Sequence, residues 1–84
     1  MPNPFNPRTT IRFDLPAAGS ARLAIYDVAG RLVKILVDGE VAAGGHEAVW
    51  DGRDAAGRGM ASGSYFARLE TSSGREITRM MLIR

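Results

Sequence analysis

The sequence predicts an all-β fold, a two-sheet sandwich of six to seven short antiparallel strands. Ten glycines and four prolines punctuate 84 residues. Between them lie short runs that alternate apolar with polar side chains and recur every ~8 to 12 residues. No stretch keeps a 3.6-residue apolar period long enough for a helix. At this length the chain is one domain, and its core buries only about 60% of the unfolded surface.

The elements follow in order. Thr9 to Leu15 reads as the first strand, with Ile11, Phe13 and Leu15 on one face and Arg12 and Asp14 on the other. Pro16 ends it, because proline donates no ladder hydrogen bond, and Ala17-Ala18-Gly19 completes the turn. Ser20 to Asp27 places Ala21, Leu23 and Ile25 inward and Tyr26 on the opposite face. Asp27-Val28-Ala29-Gly30 is a hairpin turn in which Gly30 is free to take a positive φ. Arg31 to Val37 is β-branched and short, hence a strand rather than a helix. Its apolar residues do not alternate, which calls for burial on both faces or for a bulge.

Asp38 to Gly45 reads as a connecting loop, and His46 to Asp51 as a strand with His46, Ala48 and Trp50 on one face. Trp50, the only tryptophan, is the expected centre of the core, joined by Phe13, Leu23, Ile25 and Leu69. Asp51 to Gly63 is glycine-rich and irregular, with room for one short strand around Met60. Ser64 to Thr71 and Glu76 to Ile83 form a last hairpin turned at Ser72-Ser73-Gly74. Met80 and Leu82 alternate with Met81 and Ile83, so both faces of the last strand are apolar and a central place in its sheet is expected. No internal repeat or low-complexity segment stands out. The chain divides into a linker, residues 1–8, and a single sandwich, residues 9–84, of the immunoglobulin or fibronectin III type.

Composition narrows the function classes. The formal net charge is +2, and the eleven basic residues form no run. A nucleic-acid binder of this size shows a basic stripe with stacking aromatics, so nucleic acid is not an expected partner. With no cysteine there is no disulfide framework and no thiolate metal site. No apolar run approaches the ~20 residues of a membrane span. Pro2-Asn3-Pro4 directly follows Met1, which is not the opening of a signal peptide.

Candidate chemistry is sparse. His46 is the one histidine, and a surface or partly packed ring is the expectation rather than a catalytic base. Serines 20, 62, 64, 72 and 73 sit in or beside turns, where hydroxyls bond nearby backbone. Asp51 and Asp54, set among glycines, are weak calcium candidates, because a hard cation needs several oxygen ligands on a tight turn. The spacing lacks the alternating-aspartate pattern and a closing carboxylate, so turn capping is the expected role. Gly57, Gly59 and Gly63 match no nucleotide loop. No cofactor and no enzymatic activity are expected.

Four phrases together carry a resemblance. They are Pro2-Asn3-Pro4-Phe5-Asn6-Pro7 with Thr9 to Phe13, Ile25 to Val33, Trp50 to Gly57, and Ser62 to Leu69. The chain resembles the C-terminal sorting domains of the type IX (Por) secretion system, and the related immunoglobulin-like domain of the flagellar hook-capping protein. The sorting resemblance implies a C-terminal module of a secreted bacterial protein that acts as an outer-membrane export and surface-anchoring signal. It implies a secreted or cell-surface location, and secretion machinery or neighbouring domains of the parent as partners. Its sorting residues would be Arg79, Met80, Met81, Leu82, Ile83 and Arg84. The alternative is a structural or self-associating interaction and spacer module, pairing through an exposed sheet edge. Phe5 is expected to plug one end of the core, with the prolines around it stiffening the linker.

Overall fold

The computed structural model describes residues 8–83. Six strands form in chain order: β1 (Thr9–Leu15), β2 (Gly19–Asp27), β3 (Leu32–Val41), β4 (Gly44–Trp50), β5 (Gly63–Thr71) and β6 (Gly74–Leu82). They make two antiparallel sheets, a two-stranded β1-β4 and a four-stranded β3-β2-β5-β6. This is the two-sheet sandwich expected. Residues 1–7 and Arg84 lie outside the described residues, so the linker motif around Phe5 has no structural account here.

Period-two alternation puts the core between the sheets. Leu15 and Trp50 from the small sheet meet Leu23, Ile25, Val33, Tyr65, Ala67, Leu69, Met80 and Leu82 from the large one. Trp50, Leu23, Ile25 and Leu82 are the largest side chains with essentially no exposure. Burying each aliphatic of this kind contributes about 1.5–3 kcal/mol. Phe13 is only partly buried; like Ile11, Leu36, Val37 and Met60 it packs against the core from its margin. Trp50 packs edge-to-face on Tyr65, ring centroids 5.0 Å apart at 61°, and its Nε1–H donates to the Arg53 carbonyl at 2.9 Å. The one polar atom of the indole is thereby satisfied inside the core.

Several local expectations need correction. The unbroken apolar run of β3 comes from irregular pairing: the register with β2 shifts twice, skipping Leu36 and then Val33. The skipped residues turn toward the core, Val33 almost completely buried and Leu36 partly. β3 also continues to Val41, where a loop was expected from Asp38. The nine-residue β2 offers it partners as far as Gly19↔Val41, and pairing overrides the weak propensities of Asp38 and Gly39. No strand forms around Met60; the segment has an isolated bridge, Arg53↔Gly59. β6 is an edge strand rather than a central one, and Met81 and Ile83 are exposed.

One turn is used twice. Asp27 Oδ1 accepts the N–H groups of Ala29 and Arg31, each at 2.9 Å, while Oδ2 faces Arg31 Nε at 3.1 Å. Asp54 repeats this with Ala56 and Arg58 at the same distances. The glycines match too, with φ of 84° at Gly30 and 85° at Gly57. Asp-x-Ala-Gly-Arg is thus a five-residue module that the chain uses at 27–31 and again at 54–58. The first copy joins β2 to β3. The second lies along the free side of β3, where the Ala55 N–H donates to the Val33 carbonyl at 3.1 Å and covers part of that edge.

Candidate functional site

The small sheet covers one face of the four-stranded sheet and leaves the opposite face open. The ladder registers set it out in rows across β3, β2, β5 and β6, because paired residues share a face. The first row is Asp38, Arg22, Glu70, Arg75; the second is Ile35, Ala24, Arg68, Ile77; the third is Leu32, Tyr26, Phe66, Arg79. Ser64 and Met81 form a further row on β5 and β6 alone.

A polar network ties the middle of this face together. The Tyr26 hydroxyl oxygen accepts from Arg22 Nη1 at 2.9 Å and from Arg68 Nη2 at 2.6 Å. The Arg68 guanidinium also lies over the Tyr26 ring, 4.4 Å from its centroid, a cation–π contact. Glu70 Oε1 stands 3.5 Å from Arg22 Nη1 and 3.6 Å from Arg68 Nη2. The hydrogen bond to Tyr26 holds the Arg22 pKa above its ordinary value, with Glu70 and Asp38 adding to it. Beneath these side chains Ala24 has no exposure although it points away from the core. Leu32, Ile35, Ile77 and Met81 frame the network and remain 40–60% exposed.

Of the six residues expected to carry sorting, the five described ones divide between the two faces of the sheet and the end of its last strand. Met80 and Leu82 are buried in the core, while Arg79 and Met81 lie on the outer face. Arg79 Nη2 donates to Ser64 Oγ at 3.1 Å, and the Ser64 hydroxyl donates to the Met81 sulfur at 3.3 Å. Ile83 is exposed past the end of β6, and Arg84 is outside the described residues. Half of that strand is therefore structural.

Asp51 and Asp54 act in turns. Asp51 Oδ1 accepts the Arg53 N–H at 3.1 Å and lies 3.6 Å from Lys34 Nζ. Both oxygens of Asp54 are engaged within its own module, and the Arg58 N–H bond is the main cause that lowers its pKa. Among the described residues, no group of three or more His, Asp or Glu side chains could hold a metal ion. His46 stacks on Phe13 at 5.4 Å, and its Nε2 lies 2.7 Å from the Ala42 carbonyl oxygen. No helix among the described residues is long and apolar enough to cross a membrane.

The pattern that defines the FlgD Ig-like domain matches residues 6–75. The chain belongs to this family. Among solved structures, FlgD from P. aeruginosa is similar at 28% identity and a TM-score of 0.69, over 89% of this chain and 59% of that one. FlgD from Xanthomonas campestris, solved for insight into the hook capping essential for flagellar assembly, is similar at 29% identity and a TM-score of 0.62. That match covers 92% of this chain and 55% of the other. The chain thus spans less than 60% of the length of these FlgD structures. No curated protein sequence matches it significantly.

These matches overturn the sorting expectation. Of the two resemblances, the hook-capping immunoglobulin-like domain is the one that holds: the family pattern and both structures named above are of FlgD. The export and anchoring function, the secretion machinery as partner, and the cell-surface location inferred from that route fall with it. The shared phrases explain the error. Asp27 to Arg31, Trp50 to Asp54 and Tyr65 supply turns and core packing, which any sandwich of this build needs whatever its destination.

Proposed function

We propose that this domain is a non-catalytic structural and interaction module of a hook-capping-type protein, serving flagellar hook assembly through protein–protein contact and spacing. The family match across residues 6–75 carries the proposal. It is supported by the engagement of the candidate reactive groups in structure: His46 is stacked on Phe13, and the Asp54 oxygens cap a turn. A sandwich with a polar–aromatic network on an open sheet face suits contact rather than turnover.

The test is deletion of this segment from the parent gene, with hooks counted by electron microscopy and export of hook subunits into the medium measured alongside. The expected result is absent or aberrant hooks while the subunits are still exported. Normal hooks and motility after the deletion would overturn the proposal.

A further inference from the structure

The outer face of the four-stranded sheet divides its chemistry unevenly. Its carboxylates gather at one end: Asp38 and Glu70 lie in the first row, and Glu40, paired with Ser20, lies one row beyond it. Across the other two rows the only charges are Arg68 and Arg79, both positive, set among aliphatic side chains. Arg, Tyr, Phe and Met here are the residue types that anchor interfaces, and the face has no lysine.

The acceptors are too few for the donors. A guanidinium carries five N–H groups, and Arg22 and Arg68 share the Glu70 carboxylate and the Tyr26 hydroxyl. Arg68 Nε is buried with no acceptor at all. An unpartnered buried donor leaves this guanidinium short of acceptors, and a carboxylate can meet it only through the 29% of the side chain that is open to solvent. The geometry points to a docking face for a protein segment that sets a carboxylate among apolar side chains, the carboxylate meeting Arg68 and the apolar groups resting on Ile35 and Ile77. Charge complementarity selects this occupant over a second copy of the chain. A two-fold pairing centred on the second row would bring Arg68 against Arg68, a like-charge contact in the middle of an interface. The inference rests on reading the chain as a contact module, but not on which assembly it serves, so the hook-deletion experiment can fail without touching it.

The test uses the isotope-labelled 84-residue chain and two probes matched in shape and opposite in charge, 4-phenylbutyrate and 4-phenylbutylamine. The butyrate is expected to give saturable amide shifts at Ala24, Phe66, Arg68 and Ile77, with dissociation constants in the millimolar range of a small ligand, while the amine leaves them in place. Arg68→Gln should weaken the butyrate roughly tenfold, the size of one charge-assisted hydrogen bond. Ile77→Glu, at an exposed edge position that the core does not need, should weaken it comparably. Arg12→Ala, on the other sheet, should change nothing. Equal shifts with the amine, shifts confined to another surface, or no saturable shift on this face would each overturn the proposal. So would a concentration-dependent dimer by sedimentation whose contacts move the same signals. Removal of residues 1–7 that moves those signals without any ligand would assign the face to the chain's own N-terminal segment, and would overturn it too.

Discussion

Arg68 meets Tyr26 in two ways at once: its Nη2 donates to the phenol oxygen at 2.6 Å, and its guanidinium carbon stands 4.4 Å above the same ring. The two residues are diagonal neighbours, since Tyr26 pairs with Phe66 and Arg68 pairs with Ala24. Between them Ala24 is sealed from water on a face that would otherwise be open. The contact therefore stiffens the centre of the sheet's outer surface and holds one cationic group in a defined place.

Tyr26→Phe keeps the ring and deletes the acceptor, which isolates the hydrogen-bonding half of that contact. The hydroxyl accepts from Arg68 across strands and from Arg22 on its own strand, so its loss should cost at least about 1 kcal/mol. For a domain of this size that lowers the melting temperature by roughly 4–8 °C. Tyr26→Ala should cost more, because Ala24 then loses part of its cover. A Phe variant as stable as the parent, measured by calorimetry, would show that stacking alone carries the pair.

Trp50 should be the most expensive side chain to truncate. It has 1% exposure, packs against Tyr65 and donates to the Arg53 carbonyl. Trp50→Ala is expected to cost about 3–5 kcal/mol, a large share of the 5–15 kcal/mol that holds an ordinary domain together. Trp50→Phe should fall between the two, retaining most of the packing and leaving the Arg53 carbonyl without its donor. Urea unfolding followed by circular dichroism measures both; an Ala variant within 1 kcal/mol of the parent would displace Trp50 from the centre of the core.

What was legible in the sequence was local. β1 runs Thr9–Leu15 as read, because strict alternation defines its faces and Pro16 ends it. Trp50, Leu23 and Ile25 are buried where alternation puts them. β6 was not legible in the same way: alternation finds Met80 and Leu82 but cannot say whether Met81 faces a neighbour or water. Edge or centre depends on which strands pair, and that is settled by long-range contacts. The outer-face network was missed for the same reason. Arg68 and Tyr26 are 42 positions apart and meet only through the β2–β5 register. The available signal was the outward spacing of Arg22 and Tyr26 on one strand and of Arg68 and Glu70 on another. The sorting assignment failed on different ground, since the described parts of its motifs, such as Asp27 to Arg31 and Trp50, serve turns and core packing that sandwiches of either kind need.

The paired Asp-x-Ala-Gly-Arg turns predict paired glycine effects. Gly30 and Gly57 hold nearly the same positive φ, and a Cβ at either would meet nothing within 4 Å. Any penalty on substitution is therefore conformational rather than steric. Gly30→Ala and Gly57→Ala should each cost about 1–2 kcal/mol, and Asn at either site should cost less because it tolerates this region. Chemical denaturation of the four single variants checks the match. Clearly unequal Ala costs at the two sites would mean that the surroundings, rather than the shared turn, set the strain.

The same turns predict a response to acid. The backbone N–H of Arg31 is the main cause that holds the Asp27 carboxyl below its usual pKa, and the Arg58 N–H does the same for Asp54. Each group is a stronger acid in the folded chain than in the unfolded one, where its pKa is about 3.9. Below about pH 4 the unfolded state takes up protons first, so the contribution of these aspartates is fully present above that pH and drains away as pH falls through the depressed folded values. An Asp27→Asn/Asp54→Asn double variant keeps an oxygen acceptor for each turn but cannot titrate. It should be less stable than the parent near neutral pH, where it lacks both carboxylate–arginine contacts. The gap should narrow steadily from about pH 4 downward, because only the parent loses stability at these two sites. Denaturation midpoints compared across that range give the answer directly: converging curves assign the acid sensitivity to the two turns, and parallel curves would place it on other carboxylates.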